Sequence, residues 1–198
     1  MSRAKITVSN DKIEFVIVGM NSIGRSLVGM LAALGTESIT LVDDKIVSAG
    51  AKSQEQGFGD LDLGMPKTQA VMEAMSEAFY NIKFSQHKLL DEELIQKLSS
   101  KIKGNTVLVC CEPMTLGTKQ HLCKFLENSC KEIYFTGFTQ EGLGNVLKYT
   151  CGSHADCGSE LDQVSYGKEV ANIGRTIAAH VFASIVNSWV APPELAIN

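Results

Sequence analysis

The stretch KIEFVIVGMNSIGRSLVGMLAALG, residues 12–35, constrains the fold of this chain more than any other. Residues 12–18 form an apolar run of strand length. Gly19 and Gly24 then bracket a short turn, and apolar residues recur at helical spacing as far as Gly35, a natural C-terminal stop. This is a strand, a tight turn and the opening of a helix. The helix begins near Ser22–Ile23, so its first N–H groups and the positive end of its dipole face whatever lies over the turn, and a phosphate fits there without any side-chain charge. A full dinucleotide fingerprint has a middle glycine where this chain carries Asn21. Asparagine tolerates a left-handed backbone, which suits it to such a turn, but its side chain narrows the approach to a diphosphate.

The remainder of the chain repeats the alternation. SITLVD (38–43) reads as a second strand, MPKTQAVMEAMSEAF (65–79) as an amphipathic helix with Pro66 in its first turn, and IKFSQHKL (82–89) as a third strand. DEELIQKLSSKI (91–102) reads as a helix, NTVLVCC (105–111) as a fourth strand and TLGTKQHLCKFLENSC (115–130) as a further helix. EIYFTGF (132–138) and GNVLKYT (144–150) read as two late strands around a turn, and a long helix spans roughly 167–190. Its apolar face, with Ile173, Ile177, Val181, Ile185 and Trp189, closes the core or forms a subunit contact. Such alternation predicts one α/β domain over 1–198, a Rossmann-like doubly wound, mostly parallel sheet with helices on both faces.

Composition narrows the partners. The 198 residues are 44% hydrophobic and 20% charged with a formal charge of −4, which argues against nucleic acid as a partner and against an anionic membrane surface. No apolar stretch approaches the ~20 residues that span a bilayer, and the N-terminus has no signal-peptide core, so a cytoplasmic protein is expected. In that setting the six cysteines are free thiols. Cys110 and Cys111 fit a buried strand end, whereas CGSHADC places Cys151, His154 and Cys157 as zinc-ligand candidates without a fourth ligand or paired C-x-x-C knuckles. His87, His121 and His180 read as structural, and Met30, Met72 and Met75 as core.

In an open α/β sheet the ligand lies at the carboxyl ends of the strands. Asp43 ends the second strand 19 residues after Gly24, where an acid commonly accepts hydrogen bonds from ribose hydroxyls. Between it and Pro66 runs a glycine-rich polar segment, 44–64, with no strong period. Loops beyond ~12–15 residues in a compact domain are usually functional, and this one is long enough to fold over the strand ends. It also delivers Lys67 to the first turn of the next helix, where the dipole disfavours a cation unless an anion is near. Glu112 lies past the fourth strand on the same rim, facing solvent or holding a Mg²⁺ that bridges phosphate oxygens.

These residues resemble the E1-like adenylyltransferases, the ThiF/MoeB superfamily that includes ubiquitin-activating enzymes. VIVGMNSIGRSLVGMLAALGTESITLVDDKIVS is similar to that family's V-x-I-V-G-x-G-G-x-G…L-A-x-x-G-V-x-x-L-x-L-V-D-x-D-x-V, and GMPK to its G-x-P-K. The resemblance is strong over about 13–85 and weaker through VLVCCEP and IYFTGFTQEGLGNV. It implies an ATP site with Gly19, Asn21, Ser22 and Gly24 in the fingerprint turn, Asp43 on the ribose with Asp44 beside it, Lys67 on the phosphates and Glu112 at the Mg²⁺ position. The implied reaction is attack of a carboxylate on the α-phosphorus of ATP, giving an acyl adenylate and pyrophosphate. Lys67, Arg25 and Glu112 are its catalytic candidates. The family's N-x-x-R-Q reads AKSQE here: Ala51 stands for the asparagine and Gln54 for the arginine, with Lys52 or Arg25 as compensating cations. The zinc knuckles and any insertion for a catalytic-cysteine domain are missing, as is the N-terminal R-Y-x-R-Q helix.

The resemblance therefore implies a minimal, zinc-free member acting on a small-molecule carboxylate, such as the E1-like enzyme of iron-guanylylpyridinol cofactor biosynthesis, and a homodimer. Two alternatives remain open on the sequence: an E1-like protein that binds nucleotide or a partner without turnover, and an NAD-dependent oxidoreductase, which the long loop and Lys67 disfavour.

Overall fold

The structure, a computed structural model, describes residues 13–54, 57–79, 81–88, 106–126, 130–138, 144–150, 161–162 and 170–189. Seven strands form one sheet: β1 (Glu14–Val18), β2 (Ser38–Val42), β3 (Lys83–His87), β4 (Thr106–Cys110), β5 (Cys130–Phe138), β6 (Gly144–Thr150) and β7 (Leu161–Asp162). Their spatial order is β3-β2-β1-β4-β5-β6-β7. The first five pair in parallel, with Val16 opposite Thr40 on one side and Leu108 on the other. β6 and β7 add an antiparallel edge. The order reverses between β1 and β4, and the crevice above their carboxyl ends is where an open sheet of this kind binds ligands.

Five helices accompany the strands among the described residues: α1 (Ser22–Leu34), α2 (Ala49–Gln54), α3 (Lys67–Ala78), α4 (Leu116–Leu126) and α5 (Val170–Trp189). Alternation along each strand divides the core in two, because successive side chains leave opposite faces. Phe15, Ile17, Ile39, Leu41, Val107 and Val109 face α1, α3 and α5, joined by Leu27, Leu31, Val71, Ile177 and Val181. Val16, Val18, Val42, Leu108 and Cys110 face α4 through Leu122, Cys123 and Leu126. Helices thus cover both faces of a mostly parallel sheet, as the alternation predicts. Gly35 ends α1 in the left-handed conformation, φ 91°, with its N–H on the Ala32 carbonyl.

α1 and α5 pack closely at the carboxyl end of the sheet. An added Cβ at Gly174 of α5 would stand 2.7 Å from Ser22 Cβ and collide with its hydroxyl, so only glycine admits this approach. At the opposite end, beneath α5, lies a polar network. Glu132 Oε1 takes an ion pair from Lys148 at 2.8 Å, and Oε2 accepts from the Tyr134 hydroxyl at 2.8 Å. Ser184 lies 3.2 Å from the same hydroxyl, and Lys148 also donates to Ser188 at 2.9 Å. Glu132 and Tyr134 are both buried, and each polar atom has a partner, which is the condition under which such burial is tolerated.

The segment after β2 holds more structure than its composition suggests. It contains α2 and a 3₁₀ turn at Asp60–Asp62. It is laced to the start of α3 by Val47 N–H to the Met65 carbonyl, Gly64 N–H to the Val47 carbonyl and Lys67 N–H to the Lys45 carbonyl, at 2.8–2.9 Å. The segments 91–102 and 151–157, read above as a helix and as a zinc-ligand candidate, lie outside the described residues. No helix among the described residues is long and apolar enough to cross a membrane.

Candidate functional site

The turn after β1 is built by two glycines with different tasks. Gly19 has φ 91°, a conformation that side chains rarely adopt, and an added Cβ there would collide with Glu112 Cγ. Gly24 lets α1 drop onto the turn: its added Cβ would collide with the Gly19 carbonyl oxygen. Asn21 does not use the left-handed backbone expected of it. It is extended, φ −80° and ψ −170°, and is the N-cap of α1. Its Oδ1 accepts from Ile23 N–H at 3.0 Å and Gly24 N–H at 3.2 Å, while Nδ2 donates to the Cys111 carbonyl at 2.5 Å. The side chain therefore takes two of the helix-end donors that a phosphate would use, and sews the turn to the end of β4 across the crevice.

Asp43 is buried, and each of its oxygens is engaged. Oδ2 accepts from Met20 N–H at 2.6 Å, fastening the turn, and Oδ1 accepts from Lys45 N–H at 2.8 Å. A carboxylate offers about four lone-pair sites, so acceptor capacity toward a ribose remains. Lys45 then reaches over the crevice to Glu112, with Nζ 2.5 Å from Oε1. That bond raises the Lys45 pKa above its ordinary value, with the neighbouring acids adding to the effect and burial opposing it. Glu112 thus lies on Gly19, held by a lysine from the far side of the turn.

Beside this pair opens a cavity of about 580 Å³, lined by Asp44, Lys45, Ile46, Ser48, Gly50, Ala51 and Lys67. Lys67 is the first residue of α3 and only 5% exposed, so its ammonium sits in a partly desolvated wall. Two cations approach the ring of Phe58, Arg25 at 5.2 Å from its centroid and Lys67 Nζ at 6.0 Å. Arg25 is packed beneath the loop rather than on the cavity wall, and an added Cβ at Gly57 would collide with its guanidinium. Burial lowers the Arg25 pKa from its ordinary value, Asp62 opposing the shift and Arg175 adding to it.

The fold therefore brings Gly19, Asn21, Gly24, Asp43 and Glu112 around one turn, and Asp44 and Lys67 onto the adjoining cavity. Ser22 is turned toward Gly174 of α5. Lys52 and Gln54 belong to α2, and their side chains lie outside those described. Ile46, Ser48 and Gly50 of the cavity wall escaped the sequence reading, as did Phe58 and Lys45. Phe58 gave no signal in a polar loop. Lys45 did: the pattern L-V-D-x-D-x-V has its second aspartate there. Glu112, the Mg²⁺ candidate, is bonded to Lys45, and Asp43 to two backbone N–H groups; no three His, Cys, Asp or Glu side chains cluster among the described residues.

No curated protein matches the chain. Among solved structures it is similar to E. coli MccB with ATP, at 17% identity and TM-score 0.68 over 88% of this chain and 55% of that one. The microcin C7 biosynthetic enzyme MccB in complex with N-formylated MccA gives 17% identity and TM-score 0.67, over 88% and 56%. PaaA gives 15% and 0.69, over 93% and 58%. The chain spans a little over half the length of these structures, and at such identity the likeness is one of fold. The sequence itself matches the ThiF family over residues 9–141, most of its length, and the chain belongs to that family.

Proposed function

We propose that this protein binds ATP over the carboxyl ends of β1, β2 and β4 and uses it to adenylylate a carboxylate, releasing pyrophosphate. The observation that carries the reading is buried Lys67, presented with Asp44 and Lys45 on one cavity beside the fingerprint turn and Asp43. In this reading Asp43 accepts from the ribose, Gly19 and Gly24 shape the turn on which the nucleotide lies, and Lys67 meets the phosphates. Attack of the carboxylate on the α-phosphorus needs no protein nucleophile. It needs two anions held in line and charge stabilised as pyrophosphate leaves, and a preorganised ammonium in a partly dry wall supplies part of that. Arg25, one layer behind, sets the position of the loop through Phe58.

Membership of the ThiF family and the likeness to MccB, solved with ATP, support an ATP-dependent reaction. The acceptor in our reading is a small-molecule carboxylate, with guanylylpyridinol as the named candidate, and the working form is a homodimer. MccB has been solved with the peptide MccA, so a peptide carboxylate is the rival acceptor. The test is pyrophosphate release from ATP with each acceptor class offered in turn, on the wild type, Lys67→Ala and Asp43→Ala. Release with a small acid that both substitutions suppress supports the reading. Undiminished release in both variants overturns the site, and ATP binding without release for any acid favours a nucleotide-binding protein that does not turn over.

A further inference from the structure

We infer that Lys45 is a built-in cation of the nucleotide site, and that its ammonium takes up polyphosphate charge that a divalent ion on Glu112 would otherwise neutralise. This rests on the proposed ATP site and specifies how that site handles charge.

Four observations converge on it. First, Lys45 stands at the switch of strand order: it leaves the β2 side and ends 2.5 Å from Glu112 past β4, whose side chain lies on Gly19. Any ligand lying on the turn meets this ammonium. Second, the backbone of Lys45 is fixed on both sides, its N–H bonded to Asp43 and its carbonyl accepting from Lys67 N–H at 2.9 Å, while the side chain is 55% exposed. The side chain is thus anchored at its root and solvent-accessible at its tip, beside the cavity it lines with Lys67. Third, the two helix-end donors best placed for a phosphate are occupied by Asn21, so positive charge must come from side chains. Fourth, Glu112, the carboxylate on the rim past β4, is already neutralised by Lys45, so a cation of the chain's own stands where a divalent ion on that carboxylate would sit.

The Lys45–Glu112 pair is then the resting form of the site. A partly exposed ion pair is weak and screened by salt, so a polyphosphate, carrying several charges, displaces the single carboxylate. Glu112 serves as a placeholder for the phosphate.

Calorimetric titration of the full chain with ATP, in Mg²⁺ or in EDTA, tests this, with thermal melts confirming that each variant is folded. Wild-type affinities in the two conditions should agree within about threefold, and Lys45→Ala should weaken binding in EDTA by about tenfold or more, the effect of one charged phosphate contact. Lys45→Asp should make binding Mg²⁺-dependent. Glu112→Gln should tighten binding in EDTA by removing the competitor. Equal affinity of Lys45→Ala and wild type in EDTA, or a wild-type loss of about tenfold without Mg²⁺, overturns the inference while leaving the ATP site intact. Failure of the wild type to bind ATP in either condition overturns both.

Discussion

Removing the Asn21 side chain should lower stability and raise anion affinity together, an unusual pairing of effects. The side chain makes three hydrogen bonds: two as the cap of α1 and one to the Cys111 carbonyl. Loss of an N-cap asparagine costs about 1 kcal/mol. Loss of a part-buried amide–carbonyl bond costs about 1 kcal/mol more. Asn21→Ala should therefore destabilise by about 2 kcal/mol, which for a chain of this size lowers the melting temperature by about 4–8 °C. Asn21→Ser keeps a cap acceptor but cannot reach Cys111, so it should lose about half as much. The same truncation uncovers the N–H groups of Ile23 and Gly24, so Asn21→Gly should bind pyrophosphate more tightly than wild type. Thermal melts of the three variants and pyrophosphate titration of Asn21→Gly would measure both effects. An Asn21→Ala melt within about 1 °C of wild type would show that the cap geometry is not what holds this turn.

Gly174→Ala should destabilise by about 1–3 kcal/mol through collision with Ser22, and Ser22→Gly in the same chain should restore most of the loss, giving a non-additive double-mutant cycle in urea unfolding. Burial holds the Cys111 thiol up from 9.0 to about 12, and drives Cys110 in the same direction. Above pH ~9 the unfolded chain therefore releases the Cys111 proton that the folded chain retains, so stability falls as pH rises toward ~12, with Cys110 acting in the same direction. Replacing Cys111 with Ala should flatten that slope in alkaline melts; an unchanged slope would place its origin elsewhere.

What was legible in the sequence was local. The strand, turn and helix of 12–35, the strand ending in Cys110 and the stop at Gly35 follow from apolar period and glycine placement, signals carried by neighbours in the chain. Asn21 was legible too, since Asn directly before a helical period is an N-cap signal; weighing it as a missing glycine hid that. The Lys45–Glu112 pair was not, because 67 residues separate its partners and only the sheet order brings them together. The order within 44–64 was masked for a related reason. Its short α2 and 3₁₀ turn have no period of their own, and its backbone bonds go to the start of α3.

The network under α5 has a consequence for how the sheet assembles. Tyr134 and Lys148 are paired residues of the β5–β6 ladder, and Glu132 lies diagonally across from Lys148. A slip of one residue in that ladder would turn Lys148 to the other face, strand the buried Glu132 carboxylate and separate it from its cation. β5 is also where the parallel pairing gives way to antiparallel, the point at which no crossover helix is needed to set the alignment. The charges beneath α5 thus act as a key that only one alignment of the final hairpin can turn.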